Sequence, residues 1–212
     1  MVVRLILVRH GETDWNVKGL IQGDSNRSRL TVKGKNQCRK LRPKIAKLEI
    51  AAVYASPLQR ALETARLISP AGRPIRARNE LRERHFGRVE GKSFAAFIRG
   101  NRKRWAEWSR SRELPDVPGV ETIPRLQQRA MRAVLGIAKR QRNKNILIVT
   151  HGAFIRYLIA RVLKLPLPKV SEINPANCSV NVIEINSAIT ERNMRVVAVN
   201  GRRLRPGLRR RG

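Results

Sequence analysis

The sequence predicts an α/β protein: a three-layer α/β/α sandwich on a mostly parallel sheet of about six strands, with a helical insertion over one edge. Three observations predict it. Short β-branched runs alternate with helical patterns along the chain, as strand–helix–strand crossovers require. The strongest runs are unbroken aliphatic stretches, which suits strands covered on both faces. The 212 residues, 42% of them hydrophobic, are enough to build a sizeable core.

The elements follow in order. "RLILVRH" (4–10), "IAAVYAS" (50–56), "PIRARNE" (74–80), "NILIVTH" (145–151), "SVNVIEI" (179–185) and "MRVVAVN" (194–200) read as strands by length and β-branched content. The stretches 30–48, 57–69, 121–142 and 153–165 read as helices, with Thr31 and Thr122 as N-caps. Pro43 is expected to kink or shorten the first of them. Residues from about 85 to 120 lack a strand signal, carry Trp105 and Trp108, and read as the helical insertion. Residues 1–200 are taken as a single domain, and 201–212, half of them Arg, as a mobile basic tail.

Composition narrows the function. Forty-six Lys and Arg against fifteen Asp and Glu give a net charge of +31, which points to an anionic substrate or partner. Aromatic residues make up only 4%, too few for a single-strand stacking platform. No apolar stretch approaches the roughly 20 residues of a membrane span. The opening "VVRLILV" is too short and broken for a signal peptide. Cys38 and Cys178 are 140 positions apart and match no metal or disulfide framework. A reducing, cytoplasmic setting is therefore expected.

The chemistry gathers at strand ends. His10 and His151 close two similar phrases, "LILVRHG" and "ILIVTHG". In an open α/β sheet ligands bind beyond the carboxyl ends of the strands, so both imidazoles are delivered to one edge. Gly11 and Gly152 remove the Cβ where backbone must come close to a ligand or turn sharply. Arg9 adjoins His10, and Arg60 lies in the first turn of the helix after "IAAVYAS". Two Arg and two His at one edge suit a dianion, with phosphoryl the natural candidate. An Arg charge about 4 Å from a phosphate oxygen is worth roughly 4 kcal/mol at an effective dielectric near 20. Phosphoryl transfer also needs a proton for the leaving oxygen. Glu80, Glu83 and Glu90 crowd one short segment of an acid-poor chain and are the candidates.

With "RHGETDWN" (9–16), "QG" (22–23), "LTVKG" (30–34), "ASPLQRALETA" (55–65), "LRERHFGRVEG" (81–91), "PGVET" (118–122), "VTHG" (149–152) and "NCS" (177–179) in that order, the chain resembles the histidine phosphatase superfamily. That superfamily includes cofactor-dependent phosphoglycerate mutase and α-ribazole phosphatase. The resemblance implies a phosphoglycerate mutase-like fold with the insertion over the active-site edge. It implies His10 as the nucleophile that becomes phosphohistidine, and Arg9, Arg60 and His151 as holders of the phosphoryl oxygens. Glu83 becomes the proton donor and then the base for water. Asn16, Gln22, Gly23 and Gly152 line the phosphate and substrate side, with no metal or other cofactor. His85 matches no catalytic position, and Cys178 is read as packing. "VEG" stands at 89–91 for the family's "WEG", and Asn26 where an Asp is usual after "QG".

The expected function is a phosphomonoester hydrolase acting on a small phosphorylated metabolite. The "FGRVEG" phrase and short chain resemble the phosphatase branch; a phosphoglycerate mutase is the alternative. A third reading, from another class, is a basic binding protein tethered to nucleic acid or a membrane surface with secondary phosphatase activity. Expected partners are the small phosphorylated substrate, such an anionic surface, and a second copy in a homodimer.

Overall fold

A computed structural model of the chain describes residues 2–111, 117–141, 144–186 and 188–204. Its seven strands are β1 (Val2–Arg9), β2 (Ile50–Ala55), β3 (Ile75–Ala77), β4 (Asn145–Thr150), β5 (Val180–Asn186), β6 (Met194–Val199) and β7 (Arg202–Arg203). They form one sheet in the order β3-β2-β4-β1-β5-β6-β7. β3, β2, β4 and β1 are mutually parallel, whereas β5, β6 and β7 join antiparallel. The sheet is thus mixed, with its parallel half at the centre and toward β3.

The helices are α1 (Asp14–Val17), α2 (Val32–Ala46), α3 (Gln59–Ile68), α4 (Phe94–Gly100), α5 (Arg102–Ser111), α6 (Ile123–Lys139) and α7 (Gly152–Val162). Side chains of β1 alternate between two cores. Leu5 and Leu7 face the one built with α6 and α7, and Ile6 and Val8 face the one built with α2 and α3. A strand buried on both faces can carry the unbroken "LILV" run only because helices cover each side. Thr31 and Thr122 cap α2 and α6, their hydroxyl oxygens accepting from the N–H groups of Gly34 and Arg125.

Three expectations change. The sheet has a seventh strand because Asn200 and Gly201, both at positive φ, make a tight turn that folds Arg202–Arg203 back onto β6. The beginning of the basic tail is therefore sheet; residues 205–212 lie outside the described residues. α2 does not end at Pro43 but runs on to Ala46, the proline falling in its last turn. Finally, Cys38 and Cys178 are brought together, their sulfurs 3.5 Å apart. The insertion is helical as expected, carrying α4 and α5, with residues 112–116 outside the described set.

Candidate active site

β1 and β4 are adjacent and parallel with Arg9 opposite Thr150, so His10 and His151 leave the sheet side by side. The His10 N–H donates to the Thr150 carbonyl at 3.0 Å, and the two rings lie 5.3 Å apart, tilted by 58°. Both are buried. Nδ1 of His10 is 2.8 Å from the Gly11 carbonyl oxygen. A carbonyl only accepts, so Nδ1 carries the proton and Nε2 keeps its lone pair. Burial first, then the guanidinium groups of Arg60 and Arg9, hold the His10 pKa well below its ordinary value. His151 is lowered by burial, then by Arg60, His10, Arg9 and Arg129. Both imidazoles are neutral at pH 7.

Arg60 is 1% exposed. Its Nη1 donates to the Ser25 carbonyl and its Nη2 to the Gly23 carbonyl, each at 2.7 Å. Burial lowers its pKa to about 10, against the pull of Glu83, Asp24 and Glu90, so it stays cationic at neutral pH. Arg9 donates from Nη1 to the Pro175 carbonyl at 2.8 Å. Burial lowers it too, opposed by Glu83. Arg9 Nε, Arg60 Nε and both ring nitrogens of His151 are buried without a hydrogen-bond partner. Among the described residues no other buried side-chain nitrogen or oxygen is left so, and in a native fold such atoms call for an explanation.

Glu83 caps α7 from a different segment. Its carboxylate accepts from the N–H groups of Ala153 and Phe154 at 3.0 Å and of Arg84 at 2.9 Å. The N-cap residue itself, His151, offers the helix no side-chain bond, so an anion here meets the positive end of the helix dipole. Arg129 fixes the segment that carries Glu83. It forms a bidentate pair with Glu121 at 2.8 and 2.7 Å and donates to the carbonyls of Glu80, Arg82 and Glu83.

The structure separates the three candidate glutamates. Glu83 faces the cleft, whereas Glu80 lines a separate groove beside Arg129 and Arg132. Glu90 holds loops together, its Oε1 accepting from the N–H groups of Asp24 and Phe86 and lying 3.0 Å from His85 Nδ1. Gly23 sits beneath Glu90 at φ 49°, where a Cβ would fall 2.2 Å from Glu90 Oε1.

Arg9, His10, Asn16, Gln22, Gly23, Arg60, Glu83 and Gly152 all line one cleft of about 440 Å³. The remaining expected residue, His151, is fully buried against the ring of His10. Asn16 Oδ1 is occupied by Thr13 and by Asn177 Nδ2, so its amide nitrogen is what it can offer a ligand. Gln22 Oε1 accepts from the Ser28 hydroxyl at 2.9 Å, which likewise leaves its amide nitrogen. Above this polar floor Trp15, Leu20, Ile21, Phe86, Phe94, Phe97 and Tyr157 form an apolar wall. The insertion thus supplies part of the cleft through α4.

Sequence reasoning missed Arg84 and Arg156, which also line the cleft, and the Arg129–Glu121 pair. Arg156 had a signal: it lies four residues after Gly152 and so on the same helix face. Arg129 had none, since its carbonyl partners come from a remote segment. Among the described residues no three His, Cys, Asp or Glu cluster as a metal site requires, and no helix is long and apolar enough to cross a membrane.

The family model of the histidine phosphatase superfamily (branch 1) matches residues 5–198. Phosphoglycerate mutase-like protein 4 of Arabidopsis thaliana is 33% identical over 185 residues, covering 85% of this chain and 79% of that one. A metal-independent phosphoserine phosphatase of the same plant is 31% identical over 188 residues, covering 87% and 77%. Among solved structures, Bacillus stearothermophilus YhfR superimposes with a TM-score of 0.83 at 33% identity, covering 94% of this chain and 96% of that one.

Proposed function

The chain belongs to the histidine phosphatase superfamily, branch 1, and from that premise we propose a metal-independent phosphomonoesterase acting through a phosphohistidine. One observation carries the reading: the unpartnered buried nitrogens of Arg9, Arg60 and His151 surround a histidine whose tautomer leaves Nε2 bare. Nitrogens on three side chains of high desolvation cost, left without partners around a neutral nucleophile, suit a phosphoryl group.

Glu83, ionised in the free site, takes one proton as the phosphate ester binds, from the ester monoanion or from solvent. In the first step Nε2 of His10 then attacks phosphorus while the ester oxygen departs with that proton from Glu83. Arg9, Arg60 and His151 donate to the phosphoryl oxygens as charge spreads over them, and electrostatic clamping of this kind supplies most of the barrier reduction. In the second step Glu83, now a carboxylate, takes a proton from water as that water attacks the phosphohistidine. Phosphate leaves and both residues return to their starting protonation. Acid–base work by Glu83 contributes about 10²–10⁴-fold. Asn16, Gln22, Gly23 and Gly152 line the phosphate side, and no metal or organic cofactor enters.

The substrate class is a small phosphorylated metabolite. Arg84 and Arg156 beside the apolar wall favour a non-phosphate half that carries an anionic group. The similarity to a phosphoserine phosphatase puts phosphoserine first among candidates. The reducing, cytoplasmic setting rests on the cysteine spacing in the sequence, which matches no disulfide framework. The net charge of +31 supports an additional anionic surface as partner, with binding that falls steeply as salt rises.

The deciding experiment is a panel of phosphoserine, 3-phosphoglycerate, 2,3-bisphosphoglycerate, a sugar phosphate and an aryl phosphate. Free phosphate released from at least one ester, without isomerisation of 3-phosphoglycerate, is the expected result. Isomerisation outpacing release makes the protein a mutase, which returns the phosphoryl group to substrate instead of to water.

A further inference from the structure

Behind the cleft the two cysteines make a contact that the phosphoryl chemistry does not use. Cys38 on α2 and Cys178 ahead of β5 are unlinked, with sulfurs 3.5 Å apart. Cys38 is fully buried and Cys178 half-buried. Both touch the turn that holds His10. A Cβ on Gly11 would stand 3.2 Å from the Cys38 sulfur. The Cys178 N–H lies 3.0 Å from the Arg9 carbonyl and 3.3 Å from that of His10. The neighbouring Asn177 Nδ2 also donates to the His10 carbonyl at 3.0 Å. Cys178 is at φ 55°, a conformation that non-glycine residues seldom adopt.

We propose that Cys38 and Cys178 form an oxidisable dithiol, a modification site at which hydrogen peroxide makes a disulfide and turns the phosphoryl site off. The effect on turnover rests on His10 being the nucleophile; the thiol chemistry does not. The hydrogen bond from Cys178 is the largest influence on the Cys38 thiol and lowers it against the effect of burial, while Cys178 is pushed up. The reactive form is thus a shared anion, formed by loss of one proton to solvent. The half-buried Cys178 meets the oxidant, passing its own proton to Cys38 as its sulfur attacks a peroxide oxygen. The O–O bond breaks and hydroxide leaves, so Cys178 becomes a sulfenic acid. Cys38 sulfur then attacks that of Cys178, the S–O bond breaks, and the second hydroxide departs as water with the Cys38 proton. Two thiols lose two electrons, and one peroxide becomes two waters once the solvent proton is returned.

Closing the contact from 3.5 Å to a bond of about 2.05 Å moves the sulfurs together by about 1.5 Å. α2 is anchored in the core through Cys38, Leu41 and Ile45, so the loop bearing Cys178 gives way. That loop holds the Arg9 and His10 carbonyls, and a misplacement of about 1 Å near reacting atoms costs roughly 100-fold. In the reducing setting proposed above, a disulfide is of this transient, sensing kind.

The test treats the full-length protein with hydrogen peroxide, removes the excess with catalase, and maps alkylated peptides by mass spectrometry beside p-nitrophenyl phosphate turnover. The expected result is an intramolecular Cys38–Cys178 cross-link, turnover lowered by roughly 100-fold, and recovery with dithiothreitol. Cys38→Ser and Cys178→Ser are each expected to keep the same activity with and without peroxide, and either suffices if the other fails to fold. Two thiols still free, oxidation of one sulfur alone, a cross-link between two chains, or a cross-link with unchanged turnover each overturns the proposal. Absence of phosphatase activity before treatment defeats the phosphatase reading instead, while the peptide map still decides the dithiol.

Discussion

Glu83→Gln separates the two roles given to Glu83 from its structural one. The carboxylate accepts three N–H groups, from Arg84, Ala153 and Phe154. A glutamine oxygen at the Oε1 position keeps the bonds from Arg84 and Phe154, but its amide nitrogen then faces the Ala153 N–H. That donor loses its acceptor, at about 1–3 kcal/mol, and the helix start loses an anion worth about 0.3–1 kcal/mol. A total near 2–3 kcal/mol lowers Tm by about 5–10 °C in a chain of this size. Kinetically, kcat/KM reports the step in which the leaving group departs. It is expected to fall by about 10²–10⁴-fold for an alkyl phosphate, whose leaving oxygen needs the proton. For p-nitrophenyl phosphate, which needs it little, the loss stays under about tenfold. kcat falls for both esters wherever hydrolysis of the phosphohistidine limits, because the base for water is gone. Equal losses of kcat/KM on the two esters refute proton donation by Glu83. An unchanged Tm refutes the capping geometry.

Two other predictions test the frame around it. His10 and His151 are held neutral by burial and by nearby guanidinium groups, so stability is full above about pH 6.5 and is lost as pH falls toward their folded values. In that window the unfolded chain binds up to two more protons, a slope approaching about 2.7 kcal/mol per pH unit; urea midpoints from pH 7.5 to 5 are expected to fall accordingly, and an undiminished slope in His151→Ala defeats the assignment. Gly23→Ala forces a Cβ onto Glu90 at a positive φ, costing at least about 1–2 kcal/mol from backbone alone and raising KM as the Gln22–Ser28 loop shifts; a variant with wild-type Tm and KM sinks the argument.

Much of the fold was legible because its elements are locally encoded. The aliphatic runs from Leu5 and from Ile146, the caps at Thr31 and Thr122, and the His-Gly strand ends all sit in short stretches whose physics is self-contained. β7 was legible too, since Asn200-Gly201 is a turn signal, but the arginines around it masked two strand residues as tail. Pro43 does not shorten α2, because a proline in the last turn removes little from a helix whose remaining residues are packed.

By itself the sequence determined which side chains stand at strand ends and how much positive charge surrounds them. Tertiary structure decided which of them meet. His10 and His151 face one another because β4 pairs with β1 in the register that sets Thr150 against Arg9. Glu83 is separated from Glu80 and Glu90 by the start of α7 and by Arg129, whose partners are carbonyls that no residue type encodes. Cys38 and Cys178 become neighbours because α2 packs under the turn that β5 follows. Contacts between remote segments depend on register and packing across the whole sheet, and neither leaves a mark in any short window of residues.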